Sequence, residues 1–215
     1  MSRIILLNKP YGVMTQFSPV EGKRTLKEFI PLPGVYPAGR LDADSEGLLL
    51  LTDDGALQAR IAHPKFKFDK TYWTQVEGVP TDEQIAQLQR PLDLGDFITQ
   101  PCVARVMAEP ENLWPRDPPI RFRLSVPTSW IELTIREGKN RQVRRMTAKV
   151  GLPTLRLIRA RIGPWSLDGM PPGEWREETD IPAALRVDAR ADARVRQSKS
   201  FVTQKSATRQ RSRVR

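Results

Sequence analysis

The chain has 215 residues, of which 39% are hydrophobic, and this content is enough to bury the core of a globular protein. Its single cysteine, Cys102, excludes an internal disulfide, and its single histidine, His63, leaves no ligand cluster of the zinc type. No apolar segment is long enough to cross a membrane or to form a signal peptide, which together with the single cysteine favours a reducing, cytoplasmic setting. The net charge of +10 favours a polyanion as the partner.

The first third of the chain predicts short elements around one buried strand. Residues 3–10 predict a strand that ends at a proline, and "TLKEFI" predicts a short helix before two further prolines. The stretch "GLLLLT" is too apolar to face water and predicts a fully buried strand, followed by a helix from about Ala56 to Ala62. The basic segment "HPKFKFDK" then predicts a loop.

The middle of the chain predicts further strands around one helix. "TYWTQVEG" alternates as a strand, and "TDEQIAQLQ" begins with Thr81 and Gln84 in a capping-box pattern, which predicts a helix. A strand is expected within residues 98–107. Three apolar residues alternate along "SWIELTIRE" and predict a half-buried strand: Ile131, Leu133 and Ile135. These elements together indicate a mixed α+β protein with a large sheet.

The segment "EGKNRQVRRMTAKVG" predicts an amphipathic helix, with Asn140 as its N-cap and Gly151 as its stop. Arg144 and Arg145 fall on the face opposite the apolar residues, which are Val143, Met146 and Val150. Arginines in the first turns of a helix create a concentrated site for an anion. A solvated polar face is the other interpretation of these charges.

The basic residues concentrate at the C-terminal end. Residues 183–215 contain ten Lys or Arg and two Asp, whereas residues 1–182 contain 25 basic and 23 acidic side chains. The terminal segment has few large apolar residues and no sustained helical period, which predicts a disordered tail. Attraction to RNA or DNA through counterion release and a purely solubilising role are both open for this tail.

The stretch "YPAGRLDADSEGLLLLTDDGAL" crowds Asp42, Asp44 and Glu46 beside Arg40. The acids are spaced like the start of a calcium loop, but "VYPAG" cannot form the incoming helix, and leucine occupies a position where a ligand oxygen is required. A solvated turn and a reactive site at the edge of the sheet remain as interpretations. In a reactive site, Arg40 would help to keep a carboxylate ionised.

At these residues the sequence resembles a known family. "GRLDADSEGLLLLT" is similar to the catalytic motif of the RsuA-type RNA pseudouridine synthases, G-R-L-D-x-x-S/T-x-G-L-L-h-h-T, in which the aspartate of R-L-D is catalytic. Other family motifs occur in order within residues 3–178: "NKP", "KTYWTQVEG", "EGKNRQVRRM", "LRLIRARIG" and "GEWRE". "LWPRDPPIRFR" and "VPTSW" further resemble the RluE branch, which acts on 23S ribosomal RNA.

The resemblance implies an α+β pseudouridine synthase fold with a long mixed, mainly antiparallel sheet, flanking helices and a central catalytic cleft. It implies a catalytic domain over residues 1–182, with subdomains at about 1–62 and 65–178 that meet at the cleft. The N-terminal S4-type RNA-binding domain of many relatives is expected to be absent, because the family pattern starts at Arg3. RNA affinity would then come from the catalytic domain and from the basic tail.

The implied reaction isomerises a uridine within RNA, without a cofactor or a metal. The bond from N1 to C1′ breaks, the base turns, and C5 joins C1′. The resemblance assigns Asp42 as the catalytic residue, Arg144 as the arginine that pairs with it, and Tyr72 as the tyrosine that stacks on the uracil and handles a proton. Attack at the sugar, attack at the base and proton transfer are all open for Asp42. Asp44 lies where the pattern accepts any residue, so its replacement by Asn is expected to preserve activity.

Five further basic residues are expected to contact RNA: Arg40, Lys70, Lys139, Arg141 and Arg145. Many relatives have histidine at the position of Arg141, which affects the assignment of the branch more than the activity. The expected partner of the monomeric protein is ribosomal RNA, with 23S favoured, either naked or within an assembling large subunit.

Two rival functions come from other classes. A catalytically inactive RNA-binding or ribosome-assembly factor on the same fold would explain the charge, but not the complete motifs around Asp42 and Tyr72. A metal-dependent nuclease would use the acids of "DADSEG", but it leaves the arginines unexplained.

Overall fold

The computed structural model describes residues 2–62, 68–120, 125–179, 181–182 and 185. The chain divides into two compact units, Met1–Thr179 and Asp180–Arg215, and the first contains all the helices and strands given below. Two expectations from the sequence lie outside the described residues. These are most of the basic loop, at residues 63–67, and the disordered tail from residue 183 onward, apart from position 185.

The strands of the first unit form one large sheet and one small one. In chain order they are β1 Ile4–Lys9, β2 Val13–Met14, β3 Arg24–Thr25, β4 Tyr36–Pro37, β5 Glu46–Thr52, β6 Lys70–Glu77, β7 Val103–Met107, β8 Thr128–Ile135, β9 Thr154–Ile162, β10 Trp165–Ser166 and β11 Trp175–Glu178. The main sheet has the order β11-β1-β5-β9-β6-β8-β7, with β4 beside β5 and β10 beside β9. Strands β2 and β3 form a separate parallel pair.

The main sheet is mixed and mainly antiparallel, which confirms the expected fold class. Its single parallel contact in the described residues joins β5 to β9, in register Glu46 to Ile158 and Gly47 to Arg159. Gly47 has a φ of +104°, and a Cβ built there would lie 2.4 Å from the carbonyl oxygen of Arg159. Only glycine therefore permits this close approach, which places the start of β5 beside β9.

Helices pack on the sheet at three places. They are α1 Gly55–Ala62 against β5, α2 Asp82–Gln89 against β7, and α3 Gln142–Lys149 against β9, and a 3-10 helix covers Leu26–Glu28. All four were expected from the sequence. Within the ranges that the structure describes, none of these helices is long and apolar enough to cross a membrane.

Long apolar runs fill the centre of the sheet. Every residue of β1 and of β5 is buried, which confirms the fully buried strand predicted from "GLLLLT". On the other half of the sheet, Ile131, Leu133 and Ile135 of β8 pack in one core with Val143 and Met146 of α3. The alternation of period two in β8 and the apolar face of α3 were therefore predicted correctly.

The helix ends follow the sequence at two of three positions. The backbone N–H of Thr81 donates to Gln84 Oε1 (2.9 Å), and the N–H of Gln84 donates to Thr81 Oγ1 (3.2 Å), which confirms the capping box of α2. Gly151, which follows the C-cap residue Val150 of α3, has a φ of +81°, as a helix stop requires. The prediction of Asn140 as the N-cap of α3 was wrong, because Arg141 takes that position in a left-handed conformation with a φ of 51°.

Candidate active site

Asp42 lies in the loop between β4 and β5, and hydrogen bonds fix the backbone on both sides of it. Thr15 Oγ1 donates to the carbonyl oxygen of Leu41, and the N–H of Gly12 donates to the carbonyl oxygen of Ala43 (2.7 Å). The N–H of Ser45 donates to the carbonyl oxygen of Asp42 itself (3.1 Å). The loop is therefore held in place, while 42% of the Asp42 side chain remains exposed.

A cleft of about 1060 Å³ opens above this loop. Six of the residues expected in the site line it: Arg40, Asp42, Lys70, Tyr72, Lys139 and Arg141. They come from the loop before β5, from β6 and from the loop before α3. The sequence therefore selected residues that converge in space although they lie up to about 100 positions apart.

Tyr72 lies on β6, where it pairs with Leu133 of β8 and Arg159 of β9. Its side chain is buried in the core beneath the cleft and also contributes to the cleft lining. Leu157 and Phe68 line the same cleft. This apolar and aromatic wall is suited to the flat face of a nucleobase.

Asp44, two residues beyond Asp42, binds two arginines, Arg141 and Arg144. Arg141 donates from Nη1 and Nη2 to the two carboxylate oxygens of Asp44 (3.0 and 2.8 Å). Arg144 donates from Nη2 to the backbone oxygen of Asp44 (2.6 Å), and its Nε lies 3.5 Å from Asp44 Oδ2. The expectation that Arg144 pairs with Asp42 is therefore wrong, because the ion pair of Arg144 is with Asp44.

Arg141 and Arg144 stabilise the ionised form of the Asp44 carboxyl. Partial burial alone would raise its pKa, but the hydrogen bond from Arg141 and the charges of Arg144 and Arg141 outweigh burial and lower the pKa below its ordinary value. The same Arg141 approaches Asp42 less closely, with Nη1 3.7 Å from Asp42 Oδ2. The guanidinium of Arg141 thus lies between two carboxylates and forms its hydrogen bonds with one of them.

Glu46, the third acid of "DADSEG", takes part in a buried ion pair. Arg156 donates from Nε and Nη2 to its two oxygens (both 2.8 Å), and Trp114 Nε1 donates to Oε1 (2.8 Å). Only 2% of the Glu46 side chain is exposed. Arginines therefore occupy the oxygens of both Asp44 and Glu46, and the part of the chain that the structure describes contains no cluster of three His, Cys, Asp or Glu suited to a metal.

Arg145 and Arg40 differ in their surroundings. Arg145 does not line the cleft: it pairs with Asp96, donates to the backbone oxygen of Leu94 (2.7 Å), and lies over the Phe97 ring at 5.1 Å. Arg40 is exposed and lines the cleft beside Asp42. Contact of either residue with RNA stays a prediction, and the position of Arg40 is the better suited to it.

Two buried cations beside the cleft were not selected from the sequence. Arg159 of β9 lines the cleft and donates to the backbone oxygens of Leu48 (2.7 Å) and Arg40 (3.2 Å), which ties the chain before and after Asp42 to β9. The available signal was an arginine at a buried position of a strand, although β9 contains two further arginines. Lys9 is fully buried, and burial, followed by the charge of Arg159, lowers its pKa from 10.5 to about 7. Burial and the charge of Arg159 also lower the pKa of Lys70.

A family model described as RNA pseudouridylate synthase matches residues 3–149 of the chain. Two relatives carry the name "Ribosomal large subunit pseudouridine synthase E". The chain is 53% identical over 175 residues to the one from Vibrio vulnificus (strain CMCP6), covering 81% of this chain and 74% of the relative. It is 58% identical over 182 residues to the one from Xanthomonas axonopodis pv. citri (strain 306), covering 84% and 96%.

Among solved structures, the fold is similar to one titled "Crystal structure of pseudouridylate synthase". The TM-score is 0.69 at 29% sequence identity, and the match covers 83% of this chain and 71% of the other. The motifs, the fold and the relatives agree.

Proposed function

The chain belongs to the RNA pseudouridylate synthase family, and we propose that it isomerises a uridine of large-subunit ribosomal RNA to pseudouridine with Asp42 as the catalytic residue. It is an isomerase of the RluE type. The ribosomal substrate is proposed from the names of the relatives, which act on the large subunit, and 23S RNA is the corresponding molecule.

The availability of Asp42 carries the proposal. Asp42, Asp44 and Glu46 are close in sequence, but Asp44 and Glu46 each accept two hydrogen bonds from an arginine. Asp42 faces the cleft with its nearest guanidinium nitrogen at 3.7 Å, beyond hydrogen-bonding distance. Of the three acids, Asp42 therefore offers the carboxylate that can reach a substrate.

The reaction conserves all atoms of the uridine. The N1–C1′ bond breaks, the uracil turns while it is held in the cleft, and a new bond forms between C5 and C1′. The proton on C5 is then lost and N1 gains one. The Asp42 carboxylate participates by attack at the sugar, by attack at the base or by proton transfer.

The cleft has the size and lining for a nucleotide taken out of its stack. Its volume of about 1060 Å³ exceeds that needed for one nucleoside, and binding sites of this kind span roughly 300–1,000 Å³. Tyr72 lines the cleft, and we propose that it stacks on the uracil while Arg40, Lys70, Lys139 and Arg141 supply positive charge for the flanking phosphates. We further propose that the protein acts as a monomer in the cytoplasm, where ribosomes assemble.

Mapping pseudouridine in ribosomal RNA tests this function. RNA from a strain that lacks the protein is treated with a reagent that forms pseudouridine adducts, and the adducts are located by primer extension. We expect one large-subunit position to lose its signal, and plasmid-borne parent protein to restore it while Asp42→Asn does not. An unchanged pseudouridine pattern in the deletion strain would instead favour a catalytically inactive RNA-binding factor.

A further inference from the structure

Asp44 connects the two arginines to the backbone of the Asp42 loop. Its carboxylate accepts both hydrogen bonds of the Arg141 fork, and its backbone oxygen accepts the hydrogen bond from Arg144 Nη2. Arg144 is mostly buried, with 14% of its side chain exposed. The buried Arg144 guanidinium thus holds the backbone of Asp44, and the Asp44 carboxylate in turn holds Arg141 at the cleft.

The side chain of Arg141 is held by hydrogen bonds to Asp44. Arg141 lies before α3 with a φ of 51°, a conformation that residues with a Cβ adopt at a cost, and its side chain forms no N-cap hydrogen bond. Within the described residues, the hydrogen bonds of its side chain go to Asp44. Arg141 Nη1 lies 3.7 Å from Asp42 Oδ2, so a small rotation of the Arg141 guanidinium would bring it within hydrogen-bonding distance of Asp42.

A closed fork on Asp42 would interfere with the proposed chemistry. A bidentate guanidinium occupies both oxygens of a carboxylate and stabilises its ionised form. Such an Asp42 would have no free oxygen directed at the nucleotide. A guanidinium kept nearby, but outside hydrogen-bonding distance, still supplies positive charge to the site without blocking it.

We propose that Asp44 is a positioning residue that, anchored by Arg144, holds the Arg141 fork beside Asp42 and prevents it from closing on the Asp42 carboxylate. The inference rests on the proposed function, because it assumes that Asp42 reacts with the uridine. It reverses the expectation from the motif, in which this position accepts any residue.

The test compares Asp44→Asn with the matched control Asp96→Asn under single-turnover conditions at saturating RNA. Asp96 pairs with Arg145, the neighbour of Arg144 on α3, but does not line the cleft. We expect Asp44→Asn to lower the saturating rate on the order of 10- to 100-fold, the loss that follows a displacement of about 1 Å in an active site. RNA affinity should change less than about threefold, and Asp96→Asn should retain the parent rate.

The Arg141→Gln background tests whether Asp44 acts through Arg141. Without a fork to restrain, adding Asp44→Asn should change the saturating rate less than about twofold. An equally large loss in this background, or a parent-like rate for Asp44→Asn alone, would overturn the inference. If Asp44→Asn fails to fold, Arg141→Lys replaces it: this variant keeps the charge but not the fork, a loss of at least about tenfold is expected, and a parent-like rate refutes the inference.

The two proposals fail in different ways. An inactive parent protein, or an Asp42→Asn variant with the parent rate, would contradict the proposed function itself. An active parent and an inactive Asp42→Asn variant, together with a fully active Asp44→Asn variant, would contradict only the role of Asp44.

Discussion

Lys9 makes the stability of the fold depend on pH. Its Nζ donates to the backbone oxygens of Pro10 and Val13 (both 2.9 Å), and the side chain has no exposed surface. Burial, with the nearby charge of Arg159, lowers the pKa of Lys9 from 10.5 to about 7 in the folded protein. In the unfolded chain, the lysine regains its ordinary pKa.

The direction and size of the effect follow from these two pKa values. Between pH 7 and pH 10.5 the unfolded chain binds more protons at Lys9 than the folded protein does, so the free energy of unfolding rises with pH. The rise from pH 7 to pH 9 is about 2 kcal/mol from this residue. Cys102 acts in the opposite direction above about pH 9, because burial raises the pKa of its thiol from 9.0 to about 11.

Urea unfolding, followed by tryptophan fluorescence at pH 7, 8 and 9, measures the effect in the parent and in Lys9→Met. The variant removes the titrating amine and leaves Lys70 and Cys102 unchanged, so the difference between the two pH slopes isolates Lys9. We expect the parent to gain about 2 kcal/mol more than the variant over this range. Equal slopes in the two proteins would refute the assignment of a lowered pKa to Lys9.

Three further predictions concern the buried ion pair, the tail and metals. Glu46→Gln should lower the free energy of unfolding by about 3–5 kcal/mol in urea, because it leaves Arg156 buried without its partner, and a loss below about 1 kcal/mol would contradict this. A chain cut after Leu185, which is buried, should keep its rate at saturating RNA but lose roughly two to three units of salt slope in log affinity, if the tail makes three or four phosphate contacts; an unchanged slope would show that it makes none. Because the isomerisation transfers no electrons and the described residues hold no metal-ligand cluster, turnover of a prefolded RNA should persist in excess EDTA, and its loss there would contradict the prediction.

Local patterns predicted most of the elements. The apolar run of β5, the alternation of Ile131, Leu133 and Ile135, and the capping box at Thr81 are properties of a few neighbouring residues, so the sequence was sufficient to find them. The order of the strands was not predictable in this way. The parallel contact of β5 with β9 joins residues more than 100 positions apart, and it depends on the absence of a side chain at Gly47.

The site was predictable as a set of residues but not as a set of contacts. Motif resemblance selected Asp42, Tyr72 and Arg144 as catalytic; Asp42 and Tyr72 line the cleft, whereas Arg144 does not. It did not reveal which carboxylate each arginine binds, because Asp44 and the arginines that bind it are about 100 positions apart and meet only in the folded chain. The motif therefore predicted that Asp44 is dispensable for activity, whereas its contacts with Arg141 and Arg144 lead to the opposite prediction.

Formation of pseudouridine by purified parent and Asp42→Asn proteins tests the central claim most directly. Each protein is incubated with a prefolded fragment of large-subunit ribosomal RNA that carries the position mapped in the deletion strain, and binding of the fragment is measured in parallel. The change from Asp to Asn preserves the shape of the side chain and removes its ionised oxygens. We predict that the parent converts the uridine, and that Asp42→Asn binds the RNA with similar affinity but forms no pseudouridine. Conversion by Asp42→Asn at close to the parent rate would contradict the account.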